Sequence, residues 1–103
     1  MATIENDRTL LAAHPLVPDH VVERAFGAES VALNLKSGQY HGLNGVGSRM
    51  LEGLRHAETI GDAVDPLAGE FEQPREVIER DLLAFVRELV ERGIVQLGGN
   101  GRA

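Results

Sequence analysis

Residues 31–51 read VALNLKSGQYHGLNGVGSRML, and the path of this one segment decides the fold. Val31, Leu33 and Leu35 alternate with Ala32, Asn34 and Lys36, the period-2 pattern of a strand with one buried face. Lys36-Ser37-Gly38 then turns the chain, and a second strand runs into a helix through Leu43-Asn44. The turn closes in two ways. A two-residue turn at Ser37-Gly38 puts Tyr40 on the face of Leu35 and aims Leu43 away from the core. A three-residue loop with Gly38 in the left-handed region brings His41 and Leu43 to the face of Val31, Leu33 and Leu35. The second form is preferred because it buries Leu43. In either form the second strand is expected at a sheet edge, where unpaired backbone accepts a peptide from another molecule.

Working outward, Val21-Val22-Glu23-Arg24-Ala25 reads as a short strand closed by a turn at Gly27. Residues 1–15 carry Leu10-Leu11-Ala12-Ala13 without a sustained period, and Pro15 and Pro18 bracket the exit. They are read as an arm outside the folded unit, expected to be disordered in the free protein.

On the other side, Asn44 is placed to N-cap a helix over residues 45–56, with Val46, Met50, Leu51 and Leu54 at helical spacing. Thr59 is the next N-cap, with Asp62 three positions on, and Ile60, Ala63, Val64, Leu67 and Phe71 supply an apolar stripe. Pro66 falls inside that pattern and is expected to kink or shorten the second helix. The third helix follows Pro74, with Ile78, Leu82, Phe85 and Leu89 as one stripe widened by Val86 and Val90, and ends at Gly93. Glu76 lies one turn before Arg80 and Glu88 one turn before Arg92, pairs worth roughly 0.2–0.5 kcal/mol each. Ile94-Val95-Gln96-Leu97 adds an edge strand or packs back on the core, and residues 98–103 read as a flexible tail.

The 103 residues suffice for one domain with a modest core. Cysteine is absent, which removes disulfides, a thiol nucleophile and zinc-thiolate chemistry. The apolar runs are too short to span a bilayer, and the polar start at Glu5, Asp7 and Arg8 does not resemble a secretory signal, so a cytoplasmic protein is expected. The four histidines at 14, 20, 41 and 56 lack ligand spacing. Ser48 lacks a nucleophile elbow. Gly45-Val46-Gly47 lacks the remainder of a phosphate loop and is read as a tight strand-to-helix turn. No enzyme activity, metal or cofactor is expected.

Strand, strand, strand, helix, helix, helix is an α+β order of the winged-helix kind, a three-stranded antiparallel sheet followed by three helices. Residues 16–97 resemble the PqqD-like family, recognition elements that bind leader peptides of ribosomally made, post-translationally modified peptides. The pieces that carry the resemblance are VALNLKSGQYHGLN, GVGSRMLEGL, Thr59-Ile60-Gly61-Asp62-Ala63, Ala68-Gly69-Glu70-Phe71, Ile78-Glu79-Arg80-Asp81-Leu82-Leu83, and Leu89-Val90-Glu91-Arg92-Gly93-Ile94-Val95. Each is degenerate alone; six in order are more specific. Ser37-Gly38-Gln39-Tyr40 replaces the proline-glutamate-glycine turn of proteins in pyrroloquinoline-quinone synthesis, a form similar to the stand-alone recognition proteins of lasso-peptide pathways. Pro66, and Gly45 where proline is frequent, depart from the family pattern and bear on local helix geometry.

The resemblance implies that a precursor's leader adds as an antiparallel fourth strand beside residues 39–43, its side chains reaching a groove against the third helix. The implied site residues are Gln39, Tyr40, His41, Gly42 and Leu43 for backbone pairing, with Val77, Arg80, Asp81, Ala84, Phe85 and Glu88 along the groove. The implied partners are the leader peptide, a transglutaminase-like cysteine protease that removes the leader, and a cyclase. Blander readings stand beside these: Phe85 as plain core, Arg80 and Glu88 as solvated pair members, and Tyr40 as an edge guard. Asp81 is harder to dismiss, because a charge beside an apolar stripe is costly unless paired or wetted. The alternative function is a winged-helix DNA-binding regulator. Against it stand a net charge of −6 and a third helix, residues 75–92, with four arginines, five acids and no asparagine or glutamine. A dimerising scaffold without a peptide ligand is a third reading.

Overall fold

The structure is a computed structural model that describes residues 6–27 and 29–98. In chain order it contains helix α1 (Asp7–Ala12), strand β1 (His14–Leu16), β2 (Val21–Phe26), β3 (Glu29–Asn34), β4 (Tyr40–Leu43), helix α2 (Gly45–Arg55), a 3-10 turn (Gly61–Ala63), α3 (Val64–Phe71), α4 (Arg75–Glu91) and β5 (Gln96–Gly98). Strands β2, β3 and β4 form an antiparallel sheet in that order, and β1 pairs antiparallel with β5 in a second ladder. The expected α+β class and the three-strand, three-helix sequence of elements hold. The N-terminal helix and β1 are additions; of the segment 94–97, expected as an edge strand or packed on the core, Ile94 and Val95 are buried and Gln96 and Leu97 belong to β5.

The N-terminal segment is therefore not an unstructured arm from residue 6 onward. Asn6 caps α1 by accepting from the Thr9 amide at 2.8 Å, and Leu10 is buried in the main helical core. His14, Pro15 and Leu16 then pair with Gly98, Leu97 and Gln96. No helical period runs through residues 1–15 because α1 spans six residues and contributes one fully buried side chain. Residues 1–5 and 99–103, which include most of the expected tail, lie outside the described residues; Gly98 is in β5.

The hairpin between β3 and β4 matches neither expected turn. The Asn34 amide donates to the Gln39 carbonyl at 2.9 Å, and Leu33 lies opposite Tyr40, so the loop is the four residues 35–38. Gly38 does take the left-handed conformation, with φ +80°. This register puts Ser30, Ala32 and Asn34 on the buried face with His41 and Leu43. Val31 and Leu33 occupy the outer face, and Leu35 is 60% exposed. The alternation was legible but its phase was inverted, for a steric reason. Ser30 Oγ lies 3.1 Å from Ser48 Oγ of α2, and Ala32 packs in one cluster with Leu51, Leu89, Ile94 and Val95. Helices that close admit only small side chains on the facing strand, and the larger aliphatic residues go outside.

Asn34 decides where the sheet meets the helices. Its side-chain oxygen accepts from the Lys36 and Ser37 amides at 2.9 and 3.1 Å, and its amide nitrogen donates to the Gly93 carbonyl at 2.8 Å. Gly93 closes α4 at φ +73°, and a Cβ there would sit 2.8 Å from Asn34 Nδ2, so only glycine satisfies both the backbone angle and the contact.

The helices follow their sequence signals closely. Asn44 caps α2 by accepting from the Gly47 amide at 2.8 Å. Thr59 and Asp62 form a reciprocal capping box, each amide bonded to the other's side chain at 3.2 Å. Pro66 sits in the first turn of α3, where its missing amide proton loses no intrahelical bond, and the segment divides ahead of it, between Ala63 and Val64, into a 3-10 turn and a short α-helix. Val46, expected in the buried stripe of α2, is 50% exposed. On α4 the Glu88–Arg92 pair forms at 3.4 Å, whereas Arg80 pairs with Asp81 at 3.7 Å and not with Glu76.

Asn34→Ala removes three hydrogen bonds at once and leaves a helix-terminal carbonyl unpaired, with an expected loss of about 2–3 kcal/mol. Urea unfolding should show a lower midpoint at unchanged slope; a loss below about 0.5 kcal/mol would contradict the role given to this side chain.

Candidate functional site

Strand β4 is the last strand of its sheet. Partnering alternates along an antiparallel ladder, and the Asn34–Gln39 bond fixes its phase. Gln39, His41 and Leu43 therefore direct their main-chain groups to β3, while Tyr40 and Gly42 direct theirs to the open side. This corrects the expectation that every residue from Gln39 to Leu43 serves backbone pairing. Gln39 is fully engaged, its carbonyl with Asn34 and its amide with Ser37 Oγ at 3.2 Å. The open edge holds two residues with four main-chain groups, and one of these, the Tyr40 carbonyl, accepts from the Arg92 guanidinium at 3.2 Å.

Beside this edge lies an open hollow of about 380 Å³ lined by His41, Gly42, Leu43, Asn44, Val46, Gly47, Met50, Asp81, Ala84 and Phe85. A second hollow of about 360 Å³ adjoins it, sharing Val46, Met50 and Asp81 and adding Phe71, Gln73, Val77 and Ile78. Together they make one groove, walled by β4 and the start of α2 on one side and by α4 on the other. The rings of His41 and Phe85 meet edge to face, with centroids 6.1 Å apart and planes at 69°.

The groove residues of α4 follow from helical geometry. At about 100° per residue, Val77, Asp81, Ala84, Phe85, Glu88 and Arg92 fall within one arc of about 100°, and Arg80 lies about 40° outside it on the Ala84 side. Val77, Asp81, Ala84 and Phe85 line the groove as expected. Arg80 points to solvent, its side chain 76% exposed. Glu88 lies beyond the hollows, bonded to Arg92. Tyr40 contributes its edge backbone, but its ring is on the outer face beside Arg24, Phe26, Val31 and Leu33. Phe85 is half-buried, neither plain core nor free in solvent.

Asn44, Val46, Gly47, Met50, Phe71, Gln73, Ile78 and Arg92 were not among the expected site residues. Val46 and Met50 are one turn apart on a face that turns from the core to the groove, and no sequence pattern separates those two destinations.

A larger hollow of about 480 Å³ lies between α2 and α3. Its rim is made of groups that satisfy one another, the Arg49–Glu70 ion pair at 2.6 Å and a His56–Glu52 hydrogen bond at 2.7 Å, and it borders no open strand edge. The Arg49 hydrogen bond holds the Glu70 carboxyl below its usual range, and the same bond raises the Arg49 guanidinium. Each of the four arginines of residues 75–92 lies within ion-pair distance of a carboxylate: Arg75 with Asp65 and Glu79, Arg80 with Asp81, Arg87 with Asp7, and Arg92 with Glu88. That arrangement leaves α4 without the cationic face a duplex requires. Among the described residues no group of three or more His, Cys, Asp or Glu side chains is placed to hold a metal ion, and no helix is long and apolar enough to cross a membrane.

An unpaired edge of two residues, flanked by a groove with an apolar floor, defines a small α+β domain built to accept an extended polypeptide. The chain belongs to the family described as coenzyme PQQ synthesis protein D (PqqD), which matches residues 29–95. It is 43% identical over 47 residues to the PqqA binding protein of Gluconobacter oxydans (strain 621H), 46% of each chain, so it spans about half of that relative's length. Two solved structures share the fold. One is TbiB1 in complex with the TbiA(beta) leader peptide, at 34% identity and TM-score 0.68 over 78% of this chain and 93% of that one. The other is lasso peptide synthetase B1 complexed with the leader peptide, at 27% identity and TM-score 0.68 over 82% of this chain and 99% of that one.

The position of Phe85 separates core from groove energetically. Leu82→Ala, at a fully buried site, should cost about 3 kcal/mol, and Phe85→Ala less than half as much. Denaturant melts of both variants compare them directly, and equal losses would return Phe85 to the core.

Proposed function

We propose that this protein binds the leader of a ribosomally synthesised precursor peptide by strand addition at β4, and presents it to the enzymes of a lasso-peptide pathway. The observation that carries the reading is the open main chain of Gly42 and the open Tyr40 amide bordering a groove floored by Phe85, Met50 and Leu43. A leader lying antiparallel to β4 bonds to those two residues and turns alternate side chains into the groove. His41, Gly42, Leu43, Val77, Asp81, Ala84 and Phe85 form the binding surface, joined by Val46 and Met50. The fold neighbours support this reading, since both are complexes with leader peptides.

The protein makes no bond itself. It works in the cytoplasm, where the precursor is made, and its partners are a transglutaminase-like leader protease and a cyclase. Holding the leader raises the local concentration of the scissile bond at the protease. The paired arginines of α4 speak against the DNA-binding alternative.

Fluorescence anisotropy with the labelled TbiA(beta) leader peptide tests the proposal. Binding to the protein alone is expected, and its absence at high micromolar protein with the fold verified would sink the idea. Gly42→Pro removes an edge amide donor that no neighbouring strand uses, and a Cβ at this position meets nothing within 4 Å. The variant should keep its circular dichroism and lose at least about tenfold in affinity. Phe85→Ala, which removes a central anchor, should cost about 2 kcal/mol of binding, about 30-fold.

A further inference from the structure

Side chains of opposite charge stand at the two ends of the groove, each sharing its charge with one neighbour on α4. At the Leu43 end, Asp81 is shared by both hollows, and its partner Arg80 reaches it at 3.7 Å from a side chain 76% exposed. At the Tyr40 end stands Arg92, on the same face of α4, with one guanidinium nitrogen on the Tyr40 carbonyl and another 3.4 Å from Glu88. A guanidinium has five N–H donors, so these two contacts leave capacity for a further acceptor. Arg92 is also held in place: it caps α4 directly before Gly93, whose carbonyl is bonded to Asn34 at the base of the hairpin.

We infer that this pair of charges reads the direction of the bound peptide, selecting a basic residue before the strand-forming segment and an acidic residue after it. The inference rests on the strand-addition reading above. A peptide antiparallel to β4 enters at Leu43 and leaves at Tyr40, so its N-terminal side passes Asp81 and its C-terminal side passes Arg92. Eleven residues of α4 rise about 16 Å, the length of about five residues of extended chain. The two selected positions are therefore about five residues apart, with the apolar anchor over Phe85 between them. A peptide laid in the reverse direction places like charges together at both ends. Arg92 has a second effect, because it already occupies the last edge carbonyl of β4 and marks where the added strand parts from the sheet.

The test is a charge walk. Single lysine and single glutamate substitutions are placed at every position of the fluorescein-labelled TbiA(beta) leader, and binding is measured by anisotropy at low salt. Lysine should bind about three- to fivefold tighter than glutamate at one position, and the preference should invert about five residues further toward the C-terminus. Asp81→Asn should erase the first preference and keep the second; Arg92→Gln should do the opposite. Glu88→Gln, by freeing Arg92 of its competitor, should enlarge the preference for glutamate, a gain that misfolding does not produce. Tight binding of the whole series without sign dependence, or a preference that both variants leave intact, overturns the charge reading alone. An unsubstituted leader that fails to bind at all overturns strand addition and, with it, this inference.

Discussion

A single asparagine holds the two halves of this molecule in register. Asn34 shapes the hairpin loop with its side-chain oxygen and grips the end of α4 with its nitrogen. Both the open edge of β4 and the helix facing it are thus positioned from one buried amide, 6% exposed, whose hydrogen bonds are satisfied by backbone. The constraint is exacting because a buried polar group is favourable only with its partners in place. It also explains the neighbouring glycine: Gly93 must leave room for the amide and turn left-handed in the same step. The width of the groove follows, since its two walls are tied together at one end.

The inner face of β3 is built from small and polar residues, Ser30, Ala32 and Asn34, and this is what lets the helices approach. Ser30 and Ser48 both donate to Glu23 Oε2, at 3.0 and 2.9 Å, and Glu23 lies 3.6 Å from Arg55. The layer between β2, β3 and α2 is therefore partly a polar network, while the apolar core gathers around α4. The large aliphatic residues of β3 lie outside with Phe26 and Tyr40, 66% and 63% exposed.

The helices and the family were legible in the sequence because their signals are local: a cap, a stripe, a terminating glycine. Asn44, the Thr59–Asp62 box and Gly93 each behaved as their chemistry dictates. The phase of β3 was not legible, because alternation states that two faces differ and says nothing of which one the helices cover. Size misled there; the polar Asn34 was the better guide, since its amide has two backbone tasks that only an inward position allows. The α4 wall of the groove could be drawn from helical spacing, and Asp81, Ala84 and Phe85 do line the hollow. The α2 wall was hidden because Val46 and Met50 obey the same spacing whether they meet core or groove, and Arg92 because its link to Tyr40 joins residues 52 positions apart.

Strand β4 is four residues long, and only two of them face outward. Each hydrogen bond gained along such a margin contributes about 1 kcal/mol net, so the main chain by itself retains a visitor only fleetingly. Two copies meeting at β4 alone gain equally little from pairing their main chains. A strip brief enough to be harmless toward itself is also one that stays occupied only when the guest's side chains fit.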